Sequence, residues 1–298
     1  MKQIIWKNKK WFGYTLYVIV LTVALLYYRF PSDLFIDYLQ ATAHRIDPGL
    51  RLSIKEVSPS FPFGLKCIQS ELSSREGSER VIFKANSLLI RPDVWSFVQG
   101  KFRYHFECLA YDGGLRGNIH FTKNNFRAPF TTAIEVKDIH IGNNALLQGA
   151  IGRYVEGVLS GTITYNGQNW NLSDGEGEAD LRLSRGRVEL LQPILSLEAI
   201  EFNEILIKLV LQNQRVDLNK VELKGREIRG TLSGTINLKK DLLKSSLDLS
   251  GSIEPFADFF QNLTGTRDTM KLFQQRLKRG RLIFTIRGTI SNPRMKFT

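Results

Sequence analysis

Residues 11–28 read WFGYTLYVIVLTVALLYY, eighteen positions without a charge, bounded by Lys9 and Lys10 on one side and Arg29 on the other. As a helix rising about 1.5 Å per residue this run is roughly 27 Å long, close to the ~30 Å hydrocarbon thickness of a bilayer. It is apolar on every side, so it lacks the polar stripe of a surface helix. Lys2, Lys7, Lys9 and Lys10 precede it with no acid among them, which places the N-terminus on the cytoplasmic side. Trp6, Trp11, Tyr14, Tyr27 and Tyr28 fall near the two expected interfaces. The following YYRFPSD lacks the small-x-small pattern of a cleaved signal peptide, so the run reads as a retained anchor. The predicted organisation is a basic cytoplasmic segment 1–10, a transmembrane anchor 11–30 with Leu16, Val20, Val23 and Leu26 in the membrane, and an extracytoplasmic domain 31–298.

The anchor changes how the charge is read. The 298 residues carry a formal net charge of +12, of which five units lie in the first thirty residues with no acid to offset them. The remaining +7 is spread over residues 31–298 without a long basic block, so the charge reports topology and a mild attraction to anionic lipid or an acidic partner. Nucleic acid is not expected as a partner. Two cysteines and four histidines exclude a disulfide scaffold and a zinc ribbon.

Beyond the anchor the chain alternates as strands do. Residues 51–57 place Leu52 and Ile54 opposite Arg51, Ser53 and Lys55, and 58–64 read as a turn because Pro59 and Pro62 exclude helix. Residues 65–72 and 80–90 are further strands. The run 202–212 sets Ile205, Ile207, Leu209 and Leu211 against Glu204 and Lys208; Asn213-Gln214 then turns the chain into an antiparallel return over 216–223. Helices are expected only over 92–99, 145–155, 255–263 and 268–278. The expected fold is mainly β: one large, curved, groove-like antiparallel sheet with a few short helices.

One pattern recurs: YDGGLRGNIHF (111–121), VEGVLSGTITY (155–165), REIRGTLSGTINL (226–238) and RGRLIFTIRGTI (279–290). Gly117, Gly161, Gly234 and Gly288 hold equivalent places. A glycine inside a strand marks a bend, a bulge or a close backbone approach, although hairpin glycines of an ordinary sheet give the same spacing.

On these residues the chain resembles a known family. The anchor, LRLSIKEVSPSFPFGLK (50–66) and LLIRPDVWSFVQGKFRYHFECLAYDGGLRGNIHF (88–121) resemble protein N of the type II secretion system (GspN), in its delta-proteobacterial and Leptospira-like form. GTLSGTINL (230–238) and RGTISNPRMKF (287–297) are similar to AsmA-like periplasmic proteins. The resemblance implies a single-pass inner-membrane protein with a periplasmic β-rich domain, an accessory of the secretion machine that contacts its other components. An alternative is a lipid-binding or lipid-transfer protein of the envelope, with phospholipid held in an apolar β-groove lined by Ile205, Ile207, Leu209 and Leu211.

Chemistry-bearing patterns are sparse. His44, His105, His120 and His140 have no metal-ligand spacing, and no nucleophile elbow, P-loop or dinucleotide fingerprint occurs. Asp174, Glu176, Glu178 and Asp180 crowd four carboxylates without EF-hand spacing and read as a solvated turn. No enzyme activity, cofactor or metal is expected. Cys67 and Cys108 are a candidate disulfide in an oxidising compartment, or else two buried thiols.

Overall fold

The computed structural model describes residues 9–46, 48–74, 80–125, 128–143, 154–169, 172–194, 197–239, 241–262, 277 and 279–297. Two helices lead, α1 (Lys9–Tyr28) and α2 (Ser32–Ile46). The first strands are β1 (Leu50–Ser60), β2 (Gly64–Ser74) and β3 (Arg80–Pro92), followed by the short helix α3 (Val94–Val98). Then come β4 (Phe102–Ala110), β5 (Gly113–Phe121), β6 (Phe130–His140), β7 (Val155–Gly167), β8 (Glu176–Ile194), β9 (Leu197–Gln212), β10 (Arg215–Lys224), β11 (Ile228–Asn237) and β12 (Ser246–Pro255). Helix α4 (Ala257–Asn262) precedes β13 (Leu282–Thr289) and β14 (Pro293–Phe297).

All fourteen strands belong to one antiparallel sheet in which spatial order equals chain order. The mainly β, single-sheet expectation is met at this level. The β9–β10 hairpin illustrates why the chain turns where it does: Asn213 and Gln214 take φ of 52° and 62°, the left-handed pair that a two-residue hairpin loop of matching twist requires.

Directly opposed residues of an antiparallel ladder share a face. Following the register from Val57 through Cys67, Leu88, Cys108, Leu115 and Val136 traces one apolar row across six strands. On the far side of Gly161 the row resumes with Leu181, Ile207, Val221 and Leu232. The opposite face carries ion pairs between neighbouring strands: Arg116–Glu135, Lys208–Asp180, Lys224–Glu204 and Arg287–Asp248. These pairs are exposed and add little stability, but they keep that face in water and so fix which side turns inward. Helix α2 covers the start of the apolar face, with Phe35, Ile36 and Leu39 packing against Ile54, Val57 and Cys67. At the far end β14 comes back into contact with β8, so the second half of the sheet curls. Leu249 and Phe284 are buried on the apolar side while Asp248 and Arg287 stay exposed on the other, so the curl closes with the apolar side inward.

Aromatic rings seated over glycines build much of this face. Phe106 opposes Gly117, Phe130 opposes Gly167, Tyr165 opposes Gly177, Phe202 opposes Gly186 and Phe284 opposes Gly251. At Gly167 and Gly251 a ring atom is the nearest obstacle to a β-carbon, and at Gly117, Gly177 and Gly186 the ring crowds that space together with a backbone carbonyl. Gly161, Gly234 and Gly288 act differently: their φ of 147°, 135° and 111° lie where side chains are strained. The recurrent glycine motif thus has two causes, ring seats and special backbone.

Several boundaries differ from expectation. Of the helix expected over 145–155, positions 145–153 lie outside the described residues, and Val155 opens β7 opposite Val188, its β-branched alternation being satisfied by the ladder. The turn expected over 58–64 is shorter, because Ser58, Pro59 and Ser60 still pair with Lys66, Leu65 and Gly64. Pro92 ends β3 instead of opening the helix; Asp93 caps α3, accepting from Ser96 N and, at 2.7 Å, from Ser96 Oγ. Likewise Pro255 ends β12 and α4 starts at Ala257. The helix expected over 268–278 lies outside the described residues except for Leu277, which packs against the cluster of Ile228, Phe259 and Leu282.

Candidate apolar groove and its aromatic end

The side chains proposed from sequence as groove lining all sit on the inward face of β9. Ile205 pairs with Leu183 and Leu223, Ile207 with Leu181 and Val221, Leu209 with Ala179 and Leu218, and Leu211 with Gly177 and Val216. Ile205 and Leu211 are buried, whereas Ile207 and Leu209 are only half-buried. Ile205 belongs to a cluster with Val136, Ile139, Ile141, Leu183 and Phe202, so the sheet's own strands supply its cover.

At one end this face is closed by rings. Phe97 of α3 meets Tyr104 edge-on at 5.5 Å; Tyr104 meets Phe121, Phe121 meets Phe130 and Phe130 meets Tyr165, with centroids 5.8–6.1 Å apart. Such edge and tilted contacts are favourable beyond the area they bury. Sequence reading missed this ladder because its members lie on four strands and a helix, and only the register aligns them. A cavity of about 810 Å³ lies near the other end, lined by Ile200, Ile228 and Phe259 together with Arg187, Glu201 and Arg226.

The two cysteines are free thiols. Both lie on the inward face, but Leu88 stands between them, pairing with Cys67 on one side and Cys108 on the other. Two strand spacings, roughly 9–10 Å, separate their backbones, beyond the ~7 Å that a disulfide spans. The disulfide expectation is therefore corrected to two buried thiols. Burial pushes Cys108 up to about 11 and raises Cys67 as well.

The carboxylate run 174–180 is not a turn throughout. Glu176, Glu178 and Asp180 alternate along β8 on the outward face, and Asp180 pairs with Lys208 at 2.9 Å. Asp174 accepts from Asn169 and Ser173 at the preceding bend. Among the described residues no group of three or more histidine, cysteine or acidic side chains is placed to hold a metal ion. Elsewhere on the outward face Arg116 grips Glu135 with two hydrogen bonds of 2.7 and 2.9 Å, and this grip holds the carboxyl below its usual range.

Helix α1 presents Leu16, Tyr17, Val18, Ile19 and Val20 as five successive exposed positions. At 3.6 residues per turn, five consecutive exposures leave no covered side. The side chains of Val23 and Leu26 lie outside the described ones, and the described side chains run unbroken only over 11–22. Among the described residues no helix is long and apolar enough to cross a membrane.

Comparison with protein-family models, with curated proteins and with solved structures finds no match. The fold is a single-layer, antiparallel meander sheet with one apolar and one polar face.

Proposed function

We propose that the chain is a single-pass accessory component of a type II secretion system, held in the inner membrane by residues 11–30 and presenting its sheet in the periplasm. The observation that carries the tethered-sheet part of this reading is the joining of a helix uncharged over residues 11–28, and exposed all round over 11–22, to one continuous two-faced sheet. The secretion role is supported by the resemblance over 50–66 and 88–121. The outward face, with its row of exposed ion pairs, suits contact with other polar components. Deletion should abolish export of the machine's substrates and leave other envelope functions intact; unchanged export in the deletion strain rejects the role.

A second reading is favoured by the half-exposed positions of the inward face, Ile207 and Leu209 among them. An apolar groove that shelters an acyl chain gains about 0.8 kcal/mol per buried methylene. On this reading the protein holds or passes phospholipid. Organic extracts of the purified full chain, compared with those of an Ile207→Asp, Leu209→Asp variant, separate groove lipid from lipid carried by the anchor. Equal lipid content in the two proteins rejects it.

A further inference from the structure

In a meander, every odd-to-even connection lies at one end of the sheet and every even-to-odd connection at the other. Among the described residues, the large apolar side chains exposed in connections concentrate at the odd-to-even end. Phe61 and Phe63 project from the β1–β2 turn, Val94, Trp95 and Val98 from α3, and Leu242 and Leu243 from the β11–β12 connection. The opposite end exposes Tyr154. Trp95 is 78% exposed and Phe61 80%, values unusual for rings held on ordered elements.

These side chains are held in place. Phe97 of α3 is wedged edge-on against Phe102 and Tyr104, and the Asp93 cap fixes the start of the helix. Val94, Trp95 and Val98 are helical neighbours and all stay exposed, while Phe97 turns its ring onto the sheet. Gly64 brings the β1–β2 turn against Ile90 O and the Arg91 side chain, directly before α3. The anchor reaches the same end: the Tyr27 hydroxyl, one residue from the end of α1, donates to Ser60 O at 3.2 Å. The charge there is positive on balance. Arg29, Lys66, Lys101, Arg103, Lys123, Arg215, Lys239 and Lys244 stand against Asp33, Asp93, Asp174, Glu176, Asp217 and Asp241, the excess lying around the β1–β2 turn and α3, where Asp93 is engaged by Ser96.

We propose that this end of the sheet seats in the surface of the bilayer that holds α1, with Phe61, Phe63, Trp95 and Val98 entering the interface and the surrounding lysines and arginines meeting anionic phosphate groups. The inference rests on the anchor reading of α1. Exposed aromatics ringed by cations are the chemistry of an anionic lipid interface, where ring and headgroup are both satisfied. The emergence of α1 beside the β1–β2 turn supplies the bilayer at that place. The ring ladder that closes this end of the apolar face would then lie next to the lipid surface.

The test uses the full chain in vesicles of phosphatidylcholine and phosphatidylglycerol with brominated acyl chains. One variant keeps Trp95 alone (Trp6→Phe, Trp11→Phe, Trp170→Phe); a second keeps Trp11 alone. The expected result is blue-shifted Trp95 emission that loses most of its intensity to bromine, and recovers it when Phe61→Ser and Phe63→Ser are added. Water-like, unquenched Trp95 overturns the proposal. Quenching of Trp11 reports the anchor separately, so failure of the rim and failure of the anchor are told apart. A second measurement keeps the native tryptophans: Phe63→Cys should react with a water-soluble maleimide many-fold more slowly in vesicles than Tyr154→Cys at the opposite end. Equal rates overturn the proposal.

Discussion

The ring seats make a quantitative claim about Gly167 that a double-mutant cycle tests. A β-carbon at Gly167 would stand 2.7 Å from Tyr165 Cε1 and 2.9 Å from Cε1 and Cζ of Phe130, its three nearest neighbours all being ring atoms. Phe130 is 5% exposed and is held between Phe121 and Tyr165, so its ring has nowhere to retreat. Gly167→Ala should therefore cost about 1–3 kcal/mol, the range for overpacking a well-filled site. Phe130→Leu alone loses ring contacts, but it removes two of the three nearest clashes with the new methyl and leaves the half-buried Tyr165 ring room to shift away from the third. In the double variant the two costs should fall short of their sum by about 1–2 kcal/mol, within the coupling range of contacting residues. Gly117 is the control. There a β-carbon would strike the backbone carbonyl of Ala133 as well as Phe106, so Phe106→Leu should rescue Gly117→Ala much less. Denaturant unfolding of the full chain in detergent, followed by far-UV circular dichroism, reads all of these. Additivity within about 0.3 kcal/mol at Gly167 would refute the ring seat.

Neighbouring residues on opposite faces should differ sharply: Phe284→Ala ought to cost about 3–5 kcal/mol and Ile283→Ala no more than about 0.5, measured by the same unfolding assay. Cys67 and Cys108 should give identical mobility on reducing and non-reducing gels, and should be alkylated only after denaturation. Burial raises both, so the fold prefers neutral thiols; the Cys108 contribution is intact below pH 9.0 and is lost as pH rises through about 11, with Cys67 acting in the same direction, which a pH series of unfolding midpoints would record. Leu16→Asp or Val20→Asp should weaken membrane retention by about 2.5–3.5 kcal/mol each if α1 spans, and unchanged fractionation after alkaline wash would reject the span.

How much of this was legible depended on how far apart the interacting residues lie in the chain. The β9–β10 hairpin was readable because its alternation and its Asn-Gln turn are local. The glycine motif was visible, and at Gly161, Gly234 and Gly288 its cause is local backbone conformation, but the ring seats were hidden: Phe284 sits over Gly251 thirty-three residues away, and register is set by the whole ladder. The Cys67–Cys108 bridge failed for the same reason, since no local pattern places β3 between the two. Val155 fell to strand where a short apolar run resembles either period. The rim of Phe61, Phe63 and Trp95 was hidden because exposure at a turn is decided by which end the turn occupies, and that parity appears only once the strands are ordered.

That ordering also makes the sheet a length that can be edited. Fourteen strands at about 4.8 Å spacing give a width of roughly 60 Å along the curved surface. Removing any adjacent pair, such as β5 and β6, would leave β4 beside β7 still antiparallel, with the connection at its former end and the apolar face unbroken. A change of two strands alters the width by about 10 Å and little else. A chain built this way can be fitted to a gap of different depth by gaining or losing hairpins, as a ruler is cut to measure.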